Sequence, residues 1–205
     1  MSTIIVIEGP DRVGKATQSK ILCQRLTDAG YTATIVEVPI RSNPVYHFIY
    51  WMLRNGIAKK FPKFFQWNQY FNRQIFQWFT LPHLEEKFDY IIMDRWSLST
   101  VVYGAATGVS EKFTNKLFMR LRQPYYTFIL LGESHKHDHE DVYESDSALQ
   151  ESVRRHYKEW AQMNSYSCSV VDCNNPKSVV SDQIWKTLQI VETQPTYNPS
   201  SNSYN

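Results

Sequence analysis

The 205-residue chain predicts an α/β fold, a five-stranded parallel sheet with helices on both faces, and three observations lead there. Short aliphatic runs alternate with longer stretches of helical spacing, the pattern of parallel strands joined by helical crossovers. The first run, TIIVIE, gives way to a turn with two glycines, GPDRVGK, and then to a helical segment. A later run, YIIMD, is closed by the charged pair Asp94-Arg95, as buried strands are where they leave a sheet.

Thr3 to Glu8 reads as the first strand, apolar because a central parallel strand is covered on both faces. Lys15 to Ala29 sets Ile21, Leu22 and Leu26 at helical spacing, and Gly30 ends it. A second strand runs from about Ala33 to Val38, stopped by Pro39. Helices follow over Pro44 to Asn55 and Phe64 to Lys87, parted by a turn at Gly56 to Pro62. In the second of these, Trp67, Tyr70, Phe71, Phe76, Trp78 and Phe79 are expected to pack mostly internally. Tyr90 to Asp94 is the third strand, with helical stretches near Leu98 to Ala106 and Glu111 to Arg122 after it. A fourth strand spans Tyr126 to Leu131, a helix Ala148 to Met163, a fifth strand Ser169 to Asp172 and a last helix Lys177 to Val191. The result is one domain over 1–191 with a polar segment at about 132–147, then a disordered tail over 192–205 rich in Asn, Ser, Pro and Tyr.

A hydrophobic content of 42% with 20% charge fills one sizeable core. The net charge of +2 is too small for a general polymeric nucleic-acid or membrane surface, so phosphate recognition must be local. Cys23, Cys168 and Cys173 are too few and too irregular for a disulfide framework or a zinc site. No apolar run approaches the roughly 18 residues of a membrane span, and a cytoplasmic location is expected.

Gly9, Gly14 and Lys15 match G-x-x-x-x-G-K between a strand and a helix, the context of a phosphate-binding loop. Glycines let backbone N–H groups turn toward phosphate oxygens, the helix N-terminus adds positive potential, and Lys15 brings a mobile charge. Gly9, Asp11, Arg12, Val13, Gly14, Lys15, Ala16 and Thr17 are therefore the candidate ATP contacts. Ala16 stands where a hydroxyl usually helps hold Mg²⁺. At the end of the third strand, Asp94 is placed to act on a magnesium shell, through water, and Arg95 to grip an acceptor phosphate with two donors; a salt-bridged helix cap is the plainer alternative. Arg41, after Pro39, is a second candidate phosphate clamp or an exposed loop arginine. His135, His137 and His139 alternate in a polar loop without a fourth ligand, the pattern of solvated histidines.

Together EGPDRVGKATQ, VPIRS, Asn72-Arg73, MDRWSLSTVVYGA and DVYE resemble the thymidylate kinase family in order and spacing, from Thr3 to about Val191. The resemblance implies a P-loop nucleoside monophosphate kinase fold that passes the ATP γ-phosphoryl group to dTMP, giving dTDP for dTTP synthesis. It also implies Mg²⁺ and a homodimer formed through helices on one face. It assigns catalysis to Arg12, Lys15, Asp94 and Arg95, and the acceptor to Asp11, Arg41, position 69, Arg73, Arg95, Ser99, Tyr103 and Tyr143. Within that set Asp11 would accept from the sugar 3′-hydroxyl, Arg73 would hydrogen-bond the base, and Tyr143 with Glu144 would reach in from a lid at 132–147. The chain is similar to members with an arginine in the P-loop, whose lids lack catalytic arginines; its lid has Lys136 and no arginine. Adenylate and uridylate kinases also lack a hydroxyl at the position of Ala16.

Two departures fall on the base side. Gln69 replaces the family's stacking phenylalanine, and Gly104 follows Tyr103 where glutamine or threonine is usual. Gly104 is expected to leave room or to lose a base contact, broadening the preference toward dUMP, a 5-modified dUMP or dGMP. A deoxynucleoside kinase with Glu37 as general base and an inactive nucleotide-binding protein, suggested by Ala16, are the remaining alternatives. Arg41, Arg73 and Arg95 favour an anionic acceptor.

Overall fold

A computed structural model describes residues 2–133 and 147–193. Expectations for Lys136, the three loop histidines, Tyr143, Glu144, most of the lid and nearly all of the tail lie outside the described residues.

The elements run β1 (Thr3–Glu8), α1 (Lys15–Asp28), β2 (Ala33–Glu37), α2 (Val45–Arg54), α3 (Ile57–Lys60), α4 (Pro62–Phe79), α5 (Leu81–Glu85), β3 (Tyr90–Asp94), α6 (Ser97–Ala106), α7 (Glu111–Phe118), β4 (Tyr126–Leu131), α8 (Ser147–Met163), β5 (Cys168–Asp172) and α9 (Lys177–Thr193). The strands form one sheet in the order β2-β3-β1-β4-β5, and every pairing is parallel. Alternate side chains of β1 enter opposite cores, as the pleat requires. Ile5 and Ile7 pack with Leu22 and Leu26 of α1 and Ile184 and Leu188 of α9. Ile4 and Val6 face Phe76 of α4 and Leu117 and Phe118 of α7. Full burial of such side chains stabilises by about 1.5 to 3 kcal/mol each, so this double covering makes β1 a rigid base for the turn that follows it.

The chain reverses direction across the sheet at β1, whose neighbours are β3 and β4. Loops there diverge and open a crevice at the carboxyl ends of the strands. Register brings Ile7, Glu37 and Asp94 level at this edge.

The structure corrects several boundaries. The helix expected over Phe64 to Lys87 is two helices, because Pro82 lies in the first turn after Thr80 and cannot continue the preceding ladder. The turn at Gly56 to Pro62 holds the short α3, entered through Gly56 at φ 67°. The helix from Glu111 stops at Phe118, and the last helix runs two residues past Val191, into the stretch assigned to the tail.

The expectation for the α4 aromatics is overturned. Phe76 is buried and Tyr70 half-buried, but Trp67, Phe71, Trp78 and Phe79 are exposed. The inward side of α4 instead carries Gln66, Gln69, Asn72, Arg73 and Gln74. Gln66, Gln69 and Arg73 face the crevice while Trp67, Phe71, Trp78 and Phe79 face solvent, an arrangement opposite to that of an ordinary surface helix over this stretch.

Candidate active site

The turn after β1 is shaped by contacts only glycine permits. Gly9 has φ 143°, and a Cβ there would stand 2.2 Å from the carbonyl oxygen of Leu130 on β4. Gly14, at φ 93°, opens α1. Between them Arg12 adopts φ 64° without being glycine, and Arg95 does the same after β3 at φ 70°. Such conformations cost about 1 to 3 kcal/mol and persist where the surroundings enforce them, commonly at functional sites.

Lys15 is buried at the start of α1, with Nζ donating to the Pro10 carbonyl inside the loop. Burial, then the nearby Arg95, pull its pKa down to about 8, with Asp11, Asp94 and Glu8 opposing. A cleft of about 450 Å³ opens over this turn, walled by Arg12, Lys15, Ala16, Thr17, Asp94 and Arg95 among others. Burial raises the Asp94 pKa above the usual carboxylate value, against Lys15 and Arg95. On the α9 side of the loop a second opening, about 820 Å³, is bordered by Val13, Thr17, Cys173 and Lys177, leaving space for the remainder of a nucleotide.

Arg95 is gripped from several sides. One terminal nitrogen donates to Gly9 O at 3.0 Å and Ser99 Oγ at 3.1 Å, the other pairs with Asp11, and the guanidinium lies 5.5 Å from the centre of the Tyr103 ring. Tyr103 and Gln150 also donate to Asp11. Burial opposes ionisation of Asp11, but Arg95, Lys15 and these hydrogen bonds outweigh it and hold its pKa below the ordinary value. The Asp11 carboxylate thus has at least three donors before any sugar hydroxyl arrives.

Asp11 and Arg95 also wall a narrower cavity of about 200 Å³, together with Gln66, Gln69, Arg73, Ser99 and Tyr103. Here the structure places most of the expected acceptor residues in one chamber. Arg73 is buried, donating to Trp96 O through two nitrogens and to both the backbone and side-chain oxygens of Gln69 through the third. Gln69 therefore holds Arg73 in place through its Oε1. Arg41 stays at the rim, exposed and 3.1 Å from Glu37, and lines neither the cleft nor this chamber. Gly104 does not leave room: a Cβ would meet Thr114 Cγ2 at 2.9 Å and Gln66 Nε2 at 3.2 Å. The space is filled by Thr114 of α7 and Gln66 of α4.

Glu8 is a residue that sequence reading missed. Its fully buried carboxylate accepts from Trp96 N at 2.7 Å, Ser99 N at 3.2 Å, the Ser99 hydroxyl and Tyr157 O–H at 2.9 Å. It caps the start of α6 from another strand and ties α8 to the turn that presents Arg95. Its signal was weak: one acidic residue at the end of an apolar strand.

A phosphate-cradling turn joined through Asp11 and Arg95 to an arginine-lined chamber defines a P-loop nucleoside monophosphate kinase, an ATP-dependent phosphotransferase. The thymidylate kinase family model matches residues 7–184, and the chain belongs to that family. It is 26% identical to the thymidylate kinase of Thermomicrobium roseum, over 97% of this chain and all of the relative. It is 28% identical to that of Afipia carboxidovorans, over 90% of this chain and 88% of the relative. The structure superposes on a Candida albicans thymidylate kinase of broad substrate specificity with a TM-score of 0.74 at 22% identity, covering 93% of this chain and 92% of the other. The Ehrlichia chaffeensis enzyme gives 0.70 at 23%, covering 92% and 98%. These two likenesses establish the shared fold.

Proposed function

We propose that this chain transfers the γ-phosphoryl group of ATP to dTMP, yielding dTDP and ADP for dTTP synthesis. The observation that carries this reading is the shared wall: Asp11 and Arg95 border both the phosphate cleft and the acceptor chamber, so donor and acceptor phosphates meet there. An acceptor phosphate oxygen attacks the γ-phosphorus as its bond to the β-phosphate oxygen breaks, and ADP leaves. The acceptor is already anionic, so no general base is needed, and catalysis rests on positioning and charge. Lys15 and Arg12 serve the transferred group, and Arg95 exchanges Asp11 for the acceptor phosphate. Glu37 makes a poor base for a nucleoside hydroxyl, being exposed and paired with Arg41.

The residues fit Mg²⁺, which takes one or two carboxylates, several waters and substrate phosphates. Asp94 is the carboxylate that would hold it, through water, while Ala16 offers no ligand. Bound there, the ion neutralises phosphate charge. ADP release measured over dTMP, dUMP, dGMP and thymidine, with and without a chelator, tests the assignment; turnover of thymidine but not of dTMP would refute it.

The Lys15 pKa implies a pH profile. In the free enzyme its charge is lost as pH rises through about 8, so kcat/KM for ATP should fall above that value. Bound phosphates favour the charged form, so kcat at saturating ATP should hold to higher pH. A kcat/KM for ATP that stays flat to pH 10 would contradict this role.

We also propose a homodimer formed through the outward faces of α2 and α4. Phe48 and Trp51 stack at 5.6 Å, Phe64 meets Phe48 at 6.2 Å, and Trp67 stacks on Phe71 at 5.6 Å, all exposed. An apolar surface this continuous marks an interface. Sedimentation should give twice the chain mass, and Trp67→Glu with Phe71→Glu should give the monomer; a monomeric wild type would refute it. A cytoplasmic location fits three free cysteines.

A further inference from the structure

One of the two departures on the base side, Gly104, packs against Gln66. Gln66 is 2% exposed and lines the acceptor chamber, and its Oε1 finds no hydrogen-bond partner among the described residues. A buried carbonyl without a donor is costly, and Gln66 stands at the chamber wall, so a small turn of its amide would bring Oε1 to a ligand that supplies the donor. Gly104 helps Gln66 fit: a Cβ on this position of α6 would meet Thr114 Cγ2 at 2.9 Å and press on the Gln66 amide at 3.2 Å. The other candidate readers are committed elsewhere. Gln69 Oε1 is held by Arg73, and Arg73 is spent largely on Gln69 and Trp96. Thr100, one helical turn before Gly104, lines the same chamber and its hydroxyl is also unpartnered.

We propose that Gln66 is a specificity-determining residue whose Oε1 accepts the ring N–H of the acceptor base. This rests on the chamber being the acceptor site, as proposed above. The chamber then selects bases whose pairing edge carries a ring N–H beside a carbonyl, as in thymine, uracil and guanine. Cytosine and adenine present a ring nitrogen without hydrogen there, which sets lone pair against lone pair in a dry site. An unpaired buried polar group discriminates far more strongly than lost apolar contact.

The decisive comparison is dUMP against dCMP, which are close in size and differ at this edge. Wild type should favour dUMP in kcat/KM by about 100-fold or more. Gln66→Leu should reduce that ratio to below about tenfold and raise the KM for dTMP, with the KM for ATP unchanged. Gly104→Ala, which displaces the amide without removing it, should shift the ratio in the same direction. A ratio unchanged in both folded variants, or a wild type that accepts dCMP as well as dUMP, would overturn the inference while leaving the kinase assignment standing. Failure of wild type to phosphorylate any deoxynucleoside monophosphate would overturn both.

Discussion

Arg12→Ala is expected to lower kcat by about 10³-fold while changing the KM for dTMP by less than about threefold. Arg12 lies at the apex of the phosphate turn, on left-handed backbone, and borders the cleft beside Lys15. A cation placed there acts as charge redistributes over the transferred phosphoryl group, so its loss falls on the transition state and not on ground-state binding. The segment 134–146 holds Lys136 as its sole Lys or Arg. Lys136→Ala should therefore cost much less. Steady-state kinetics of both variants checks this, and equal losses would move the catalytic charge out of the loop.

Arg95→Ala is expected to raise the KM for dTMP by about 100-fold and to destabilise the fold by about 3 kcal/mol. The two effects have separate causes. Removing the guanidinium takes away the acceptor phosphate's partner, and it also strips the half-buried Asp11 carboxylate of the cation that contributes most to holding it ionised. Thermal unfolding should fall by about 6 to 12 °C for a chain of this size. Adding Asp11→Asn should restore part of the stability and none of the dTMP affinity, because it removes the carboxylate that has lost its main counter-ion and does not replace the missing cation. Full recovery of both would mean that Arg95 serves only as a structural counter-ion.

The sheet and the phosphate turn were readable in the sequence because local pattern determines them. TIIVIE and YIIMD can be little other than buried parallel strands, and the spacing of Gly9, Gly14 and Lys15 expresses backbone geometry that few other residues satisfy. The face of α4 was not readable. A helix carrying Trp67, Tyr70, Phe71, Phe76, Trp78 and Phe79 suggests a core helix, but the crevice claims Gln66, Gln69 and Arg73, and Trp67, Phe71, Trp78 and Phe79 are left outside. Pairings between distant segments were equally hidden: Asp11 with Arg95, Glu8 with Ser99 and Tyr157, and Gln66 against Gly104. Each is fixed by how strands and helices stack, so composition and spacing carry no trace of it. Gly104 shows the consequence, since a missing side chain reads as empty space until the residue filling it is seen.

The central claim is transfer from ATP to the phosphate of dTMP, and phosphorus NMR of one reaction mixture tests it most directly. With enzyme, ATP, Mg²⁺ and dTMP, the dTMP signal should decline as the paired α and β resonances of dTDP grow in step with those of ADP, with no inorganic phosphate. ADP appearing together with inorganic phosphate while the dTMP signal stays constant would contradict the account.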